Sequence, residues 1–184
     1  MIQIGAVAAT IDTPIEHLMG CHRRIEQRLE TLVNAGAVLL IDPPKALSAI
    51  RSSCDFLDTN GAMHTADEED SLFPRLRPLL STSEIAFVDS LEAEHLEADS
   101  IYGELKQIVA EMLREFRQDS AREFSIYAQR LRSLYLEHIR TEDEVLTALA
   151  KRFLGPAEIA EIAGEMRARR PNVIRPVERP GRRA

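Results

Sequence analysis

Two histidine–carboxylate pairs, His64/Glu68 and His138/Glu142, are the residues of this chain best spaced to do chemistry. In each pair an imidazole and a carboxylate stand four residues apart, and on a helix such positions share one face about a turn apart. Both side chains can then reach a common point, which is the spacing of ligands on a metal ion. A lone HxxxE is weak, because exposed helices carry such pairs routinely. Two copies, accompanied by His22 and His95 in apolar surroundings, make a specific pattern. The competing reading is a metal-free helical interaction module whose histidines are satisfied core residues.

The elements that must position these residues follow from apolar periodicity. Thr13-Pro14-Ile15-Glu16 reads as a capping box with Pro at the first helical position. The first helix then carries the stripe Ile15, Leu18, His22, Ile25, Leu29, Leu32 in steps of three and four. Asn34 to Asp42 contains a glycine and leads into Pro43-Pro44, so a turn is expected there. A second helix from about Pro44 carries Leu47, Ile50, Cys54, Leu57, Gly61, His64, Glu68 and Leu72, with a bend at Thr59-Asn60-Gly61 and an end at Pro74. Ser81-Thr82-Ser83-Glu84 caps a third helix with Val88, Leu91, His95, Ala98, Tyr102, Leu105, Val109 and Met112. Ser120-Ala121-Arg122-Glu123 opens a fourth, with Phe124, Tyr127, Leu131, Leu134, His138, Glu142 (or Thr141), Val145 and Leu149, stopped by Gly155-Pro156.

Four long helices with short connectors predict an all-α, up-down-up-down antiparallel four-helix bundle over residues 14–153. Residues 1–13 form an N-terminal segment, 156–169 a short C-terminal helix, and 170–184 a flexible basic tail rich in Arg and Pro. The topology also predicts that the polar residues meet. At about 1.5 Å per residue, His22 lies roughly 12 Å from the start of its helix and His64/Glu68 roughly 10 Å from the end of theirs. His95 and His138/Glu142 lie about 20 Å from helix termini at the same end of the bundle. Buried carboxylates beside four imidazoles are costly unless a cation neutralises them. His17, about 140° round the helix from His22, is taken as a fifth histidine ligand at the bundle mouth, with an exposed side chain as its alternative. Asp99, one turn after His95, is a further ligand or acceptor candidate. Glu69, Asp70, Asp143 and Glu144 read as solvated faces, and Cys21 and Cys54 as core thiols.

Composition narrows the function classes. With 184 residues the chain can bury a core without structural metal, so a metal here is functional. A formal net charge of −7 and no Trp disfavour a nucleic-acid surface. Two distant cysteines without CxxC spacing, no basic export signal at the start and no long apolar run point to a cytoplasmic protein off the membrane.

The combined motifs resemble the hemerythrin-like, or HHE cation-binding, family: Cys21-His22-Arg23-Arg24-Ile25, His64 to Glu68, His95 within Glu94-His95-Leu96-Glu97, and His138 to Glu142. Glu68-Glu69-Asp70-Ser71-Leu72-Phe73-Pro74 is similar to that family's acidic-to-"LFP" close of the second helix. The resemblance implies a non-haem centre of two iron ions, bridged by Glu68 and Glu142 with oxo or hydroxo as a further bridge, and with histidines as terminal ligands. The oxygen carriers of the family place two histidines four apart on the third helix and an aspartate five after the last histidine. This chain has His95 with Asp99, and Glu142, which moves it towards the bacterial HHE branch. The expected function is binding or sensing of a diatomic ligand, O2 or NO, with no protein partner specified. The alternatives are turnover of peroxide or NO, or iron supply for iron–sulfur cluster repair.

Overall fold

The computed structural model describes residues 11–170, and every regular element in them is helical. The expected N-terminal segment before residue 11 and the expected basic tail after residue 170 lie outside the described residues. Four long helices, α1 (Pro14–Val38), α2 (residues 43–76), α3 (Thr82–Arg114) and α4 (residues 118–153), form the bundle, and α5 (Pro156–Ala168) packs on α1 and α2. No helix among the described residues is long and apolar enough to cross a membrane.

The helix starts show the local logic. Pro43 stands first in α2 behind Asp42, whose carboxylate accepts the Lys45 N–H at 3.2 Å. Ser81 and Glu84 form the capping box of α3: the Ser81 N–H donates to Glu84 Oε2 at 2.8 Å, and the Ser81 hydroxyl accepts the Glu84 N–H at 3.4 Å. Helix α4 begins at Gln118, two residues before the expected cap, so Ser120 is buried inside its first turn.

Two expectations about glycine and proline are corrected. The expected turn is confined to the end of the stretch, residues 39–42, because α1 continues to Val38, and Gly36 lies inside the helix, where it marks close packing. A Cβ at Gly36 would stand 2.9 Å from Ser125 Oγ and 3.5 Å from the Phe124 ring, both on α4. Nor does Pro74 end α2, which runs on to Leu76. A wide turn of five residues, Glu68–Leu72, precedes it, with the Phe73 N–H bonded to the Glu68 carbonyl. The extra residue separates the proline ring from carbonyls it would strike in a regular helix.

Similar wide turns occupy Leu57–Gly61, where the sequence predicts a bend, and Glu142–Leu146 on α4. On α4 the wide turn changes which residue of the stripe is buried. Val145, expected on the stripe, is 39% exposed, and Leu146 at 3% takes its place.

The core has two apolar layers. One contains Ile25, Leu29, Leu32, Ile50, Leu57, Leu105, Phe124 and Leu131. The other contains Leu18, Leu72, Phe73, Leu76, Leu91 and Leu146, and receives Ile162 and Met166 of α5. Burying each such side chain is worth about 1.5–3 kcal/mol. His22, His64, Glu68, His95, His138 and Glu142 are all buried, and in sequence each falls between residues of the first layer and residues of the second. The bundle therefore has an ionisable waist between two greasy ends.

Helix α5 is tied down by charge. Arg75 on α2 donates to Glu165 at 2.8 Å and Glu161 at 3.2 Å. Asp67, fully buried on α2, accepts from both Arg170 nitrogens at 3.1 and 2.6 Å and from Arg169 at 3.1 Å. Arg170, expected at the start of the basic tail, is buried, because its guanidinium folds back over α2 and pairs with the Asp67 carboxylate.

Candidate metal centre

One residue from α1, two from α2, one from α3 and two from α4 converge at the waist. His22, His64, Glu68 and Glu142 bring ligand atoms within 4.8 Å of one another, and so do His95, His138 and Glu142. The groups share Glu142, and Glu68 also faces both. Its Oε1 lies 3.7 Å from His22 Nε2 and 3.5 Å from His64 Nε2, and its Oε2 lies 3.6 Å from His95 Nε2. Glu142 Oε2 lies 3.2 Å from both His22 Nε2 and His138 Nε2. His95 Nε2 and His138 Nε2 are 3.0 Å apart. Adjacent donors on one octahedral ion with bonds near 2.1 Å are roughly 3 Å apart, so these spacings suit a shared cation.

The hydrogen-bond inventory makes the same point. Both oxygens of Glu68, both oxygens of Glu142 and His22 Nε2 are buried without a hydrogen-bond partner. One such carboxylate in a core costs several kcal/mol, and two cost more. Burial opposes charge on His22, but the Glu142 and Glu68 carboxylates outweigh it and raise His22 to about 11. Burial likewise opposes the charge on His138, which Glu142 nevertheless raises to about 9. Burial and the Glu142 charge push Glu68 up to about 7. Glu142 is held far below the ordinary range by His138 and His22 despite its burial. Burial and the positive charge of His22 keep His64 well below the ordinary imidazole range. A bound cation resolves these conflicts at once, since it takes the carboxylate charge and the imidazole lone pairs together. The donor set fits a metal.

The rear nitrogens of three histidines are held by acids that the sequence reading placed on solvated faces or gave no role. Asp143 Oδ1 lies 2.7 Å from His22 Nδ1, Glu69 Oε1 lies 2.8 Å from His95 Nδ1, and Glu94 Oε2 lies 2.8 Å from His138 Nδ1. Such carboxylates fix the ring, direct Nε2 inward and strengthen it as a donor. The signal was available: each acid is adjacent in sequence to a ligand candidate, and a neighbour on a helix points about 100° away, at the next helix.

His17 belongs to neither group; five residues before His22, it leaves α1 in a different direction and is half-buried. Asp99 is exposed and lines a cleft of about 380 Å³ along the α2–α3 seam, together with Glu69 and Tyr135. The Tyr135 ring meets His138 edge-on, with centroids 6.1 Å apart. Cys21 and Cys54 are buried free thiols, as expected of core residues. A smaller void of about 10 Å³ touches the centre itself, lined by His22, Glu68 and Glu142, by the apolar Ile15, Leu18, Met19, Leu72 and Leu146, and by Thr147.

Residues 13–150 match the family described as the Hemerythrin HHE cation binding domain. No curated protein matches the chain.

Proposed function

Because the chain belongs to the hemerythrin HHE cation-binding domain family, we propose that its centre holds two iron ions and binds or senses O2 or NO. His22 and His64 would hold one ion and His95 and His138 the other, with the Glu68 and Glu142 carboxylates, which face both groups, shared between them. Mixed imidazole and carboxylate donors suit iron, whereas structural zinc favours thiolates, and both cysteines stand outside the ligand groups. Bound there, iron supplies open coordination positions for a diatomic molecule and one-electron chemistry.

The observation that carries the ligand class is the 10 Å³ void. It adjoins three candidate ligands, its remaining walls are apolar apart from Thr147, and a space of that size admits about one water-sized molecule. A diatomic gas fits it, while an organic substrate does not. Leu18, Met19, Leu72 and Leu146 limit water around that position. The buried free thiols suit a reducing compartment, and we place the protein in the cytoplasm.

Metal analysis and optical spectra of the purified protein, before and after exposure to O2 and NO, test this reading. We expect two irons per chain, near-ultraviolet oxo-bridge absorption in air, and a spectral change with the diatomic ligand. Less than one iron per chain without that absorption overturns it. Catalytic consumption of excess peroxide or NO by the reduced protein would replace binding with turnover.

A further inference from the structure

The two halves of the centre share their carboxylates but differ in what stands behind their histidines. In the α3–α4 half both rings are supported, His95 by Glu69 and His138 by Glu94. Among the described residues, neither acid pairs with any other group, so each directs its full charge at its imidazole. In the α1–α2 half only His22 has such support, from Asp143. Asp143 is shared, because the Arg23 guanidinium donates to its second oxygen and takes up part of its charge. His64 has none; its Nδ1 is buried without a hydrogen-bond partner. An acceptor on the rear nitrogen makes an imidazole the stronger, better oriented ligand, and losing one costs about 10–100-fold in metal affinity.

We propose that the α3–α4 half is the retaining metal site and the α1–α2 half the exchangeable one, with Glu69 and Glu94 as the positioning residues that set retention. Arg23 then acts as a modulator that weakens the α1–α2 half by sharing Asp143. This rests on the two-metal reading above. The cation concerned is a divalent iron; the α1–α2 group brings together one more candidate ligand than the α3–α4 group, and the charge behind the histidines is what outweighs that difference.

Staged extraction tests it. The full chain is loaded anaerobically with Fe(II) and challenged with excess ferrozine, and release is followed by the colour of the complex. Two phases of equal amplitude are expected, differing about tenfold or more in rate. Glu69→Gln and Glu94→Gln, which keep side-chain size, should each accelerate the slow phase about tenfold and leave the fast phase alone. Arg23→Ala, at an exposed position, should slow the fast phase, the opposite direction to any general loosening. Circular dichroism checks that each variant keeps its helices. Release of both irons in one phase overturns the inference while leaving the two-metal reading intact, as does a slow phase indifferent to both glutamine variants or an Arg23→Ala protein whose fast phase is unchanged or quicker. Failure to load two irons overturns the reading beneath it.

Discussion

A buried carboxylate is tolerable only with a partner, and in this protein that requirement separates two neighbouring residues. Asp67 and Glu68 are both fully buried on α2. Asp67 meets its charge through Arg169 and Arg170, whereas both oxygens of Glu68 have no hydrogen-bond partner and face imidazole nitrogens. The first is a structural ion pair, the second the proposed ligand. His64→Ala and Glu68→Ala should therefore lose most of the iron and keep the helical circular dichroism of the parent; unchanged iron content in both would refute the assigned site. Asp67→Asn should behave in the opposite way. It leaves a buried Arg170 guanidinium without its counter-charge, a loss of about 3–5 kcal/mol for a broken buried pair, with the metal ligands still in place. Denaturant unfolding measures that loss, and a change under 1 kcal/mol would show that Arg170 finds water instead.

At the scale of elements, the wide turns do what a regular helix could not. Two of the three begin on Glu68 and Glu142, the two carboxylates that face both ligand groups. Within the second, Val145 is left exposed and Leu146 is buried in its place. A wide turn forgoes regular backbone bonding, so it persists where surrounding packing demands it, and such turns concentrate at functional sites. Helix packing also explains Gly36. A larger side chain there meets Ser125 and Phe124 on α4, so Gly36→Leu should destabilise the protein by about 1–3 kcal/mol through overpacking. Thermal unfolding of Gly36→Leu beside Gly20→Leu is the check, because nothing stands within 4 Å of a Cβ at Gly20. Gly20→Leu reports the propensity gained by replacing a helical glycine alone, and equal effects at both positions would refute overpacking at Gly36.

For the whole molecule, the ionisable waist between two apolar layers should make stability depend on metal. Loading at about a hundredfold over the dissociation constant contributes about 2.7 kcal/mol, which for a chain of this size raises Tm by about 5–10 °C. Calorimetry of loaded and chelator-stripped protein measures the difference, and a Tm indifferent to metal would mean that the waist tolerates its carboxylates without a cation. The sequence by itself determined the helices and the ligand stripe, because threes-and-fours periodicity is local: Ile15, Leu18, His22 and Ile25 are buried as their spacing requires, and His64/Glu68 and His138/Glu142 reach the core together. What lies between helices was decided only by tertiary structure. Glu69, Glu94 and Asp143 look like surface acids until a neighbouring helix brings a histidine nitrogen within 2.8 Å. Gly36 looks like a turn until α4 packs against it, and Arg170 looks like tail until Asp67 needs a cation. Periodicity records which face of a helix is buried, but the identity of the group opposite depends on contacts between residues far apart in the chain, and no local pattern encodes them.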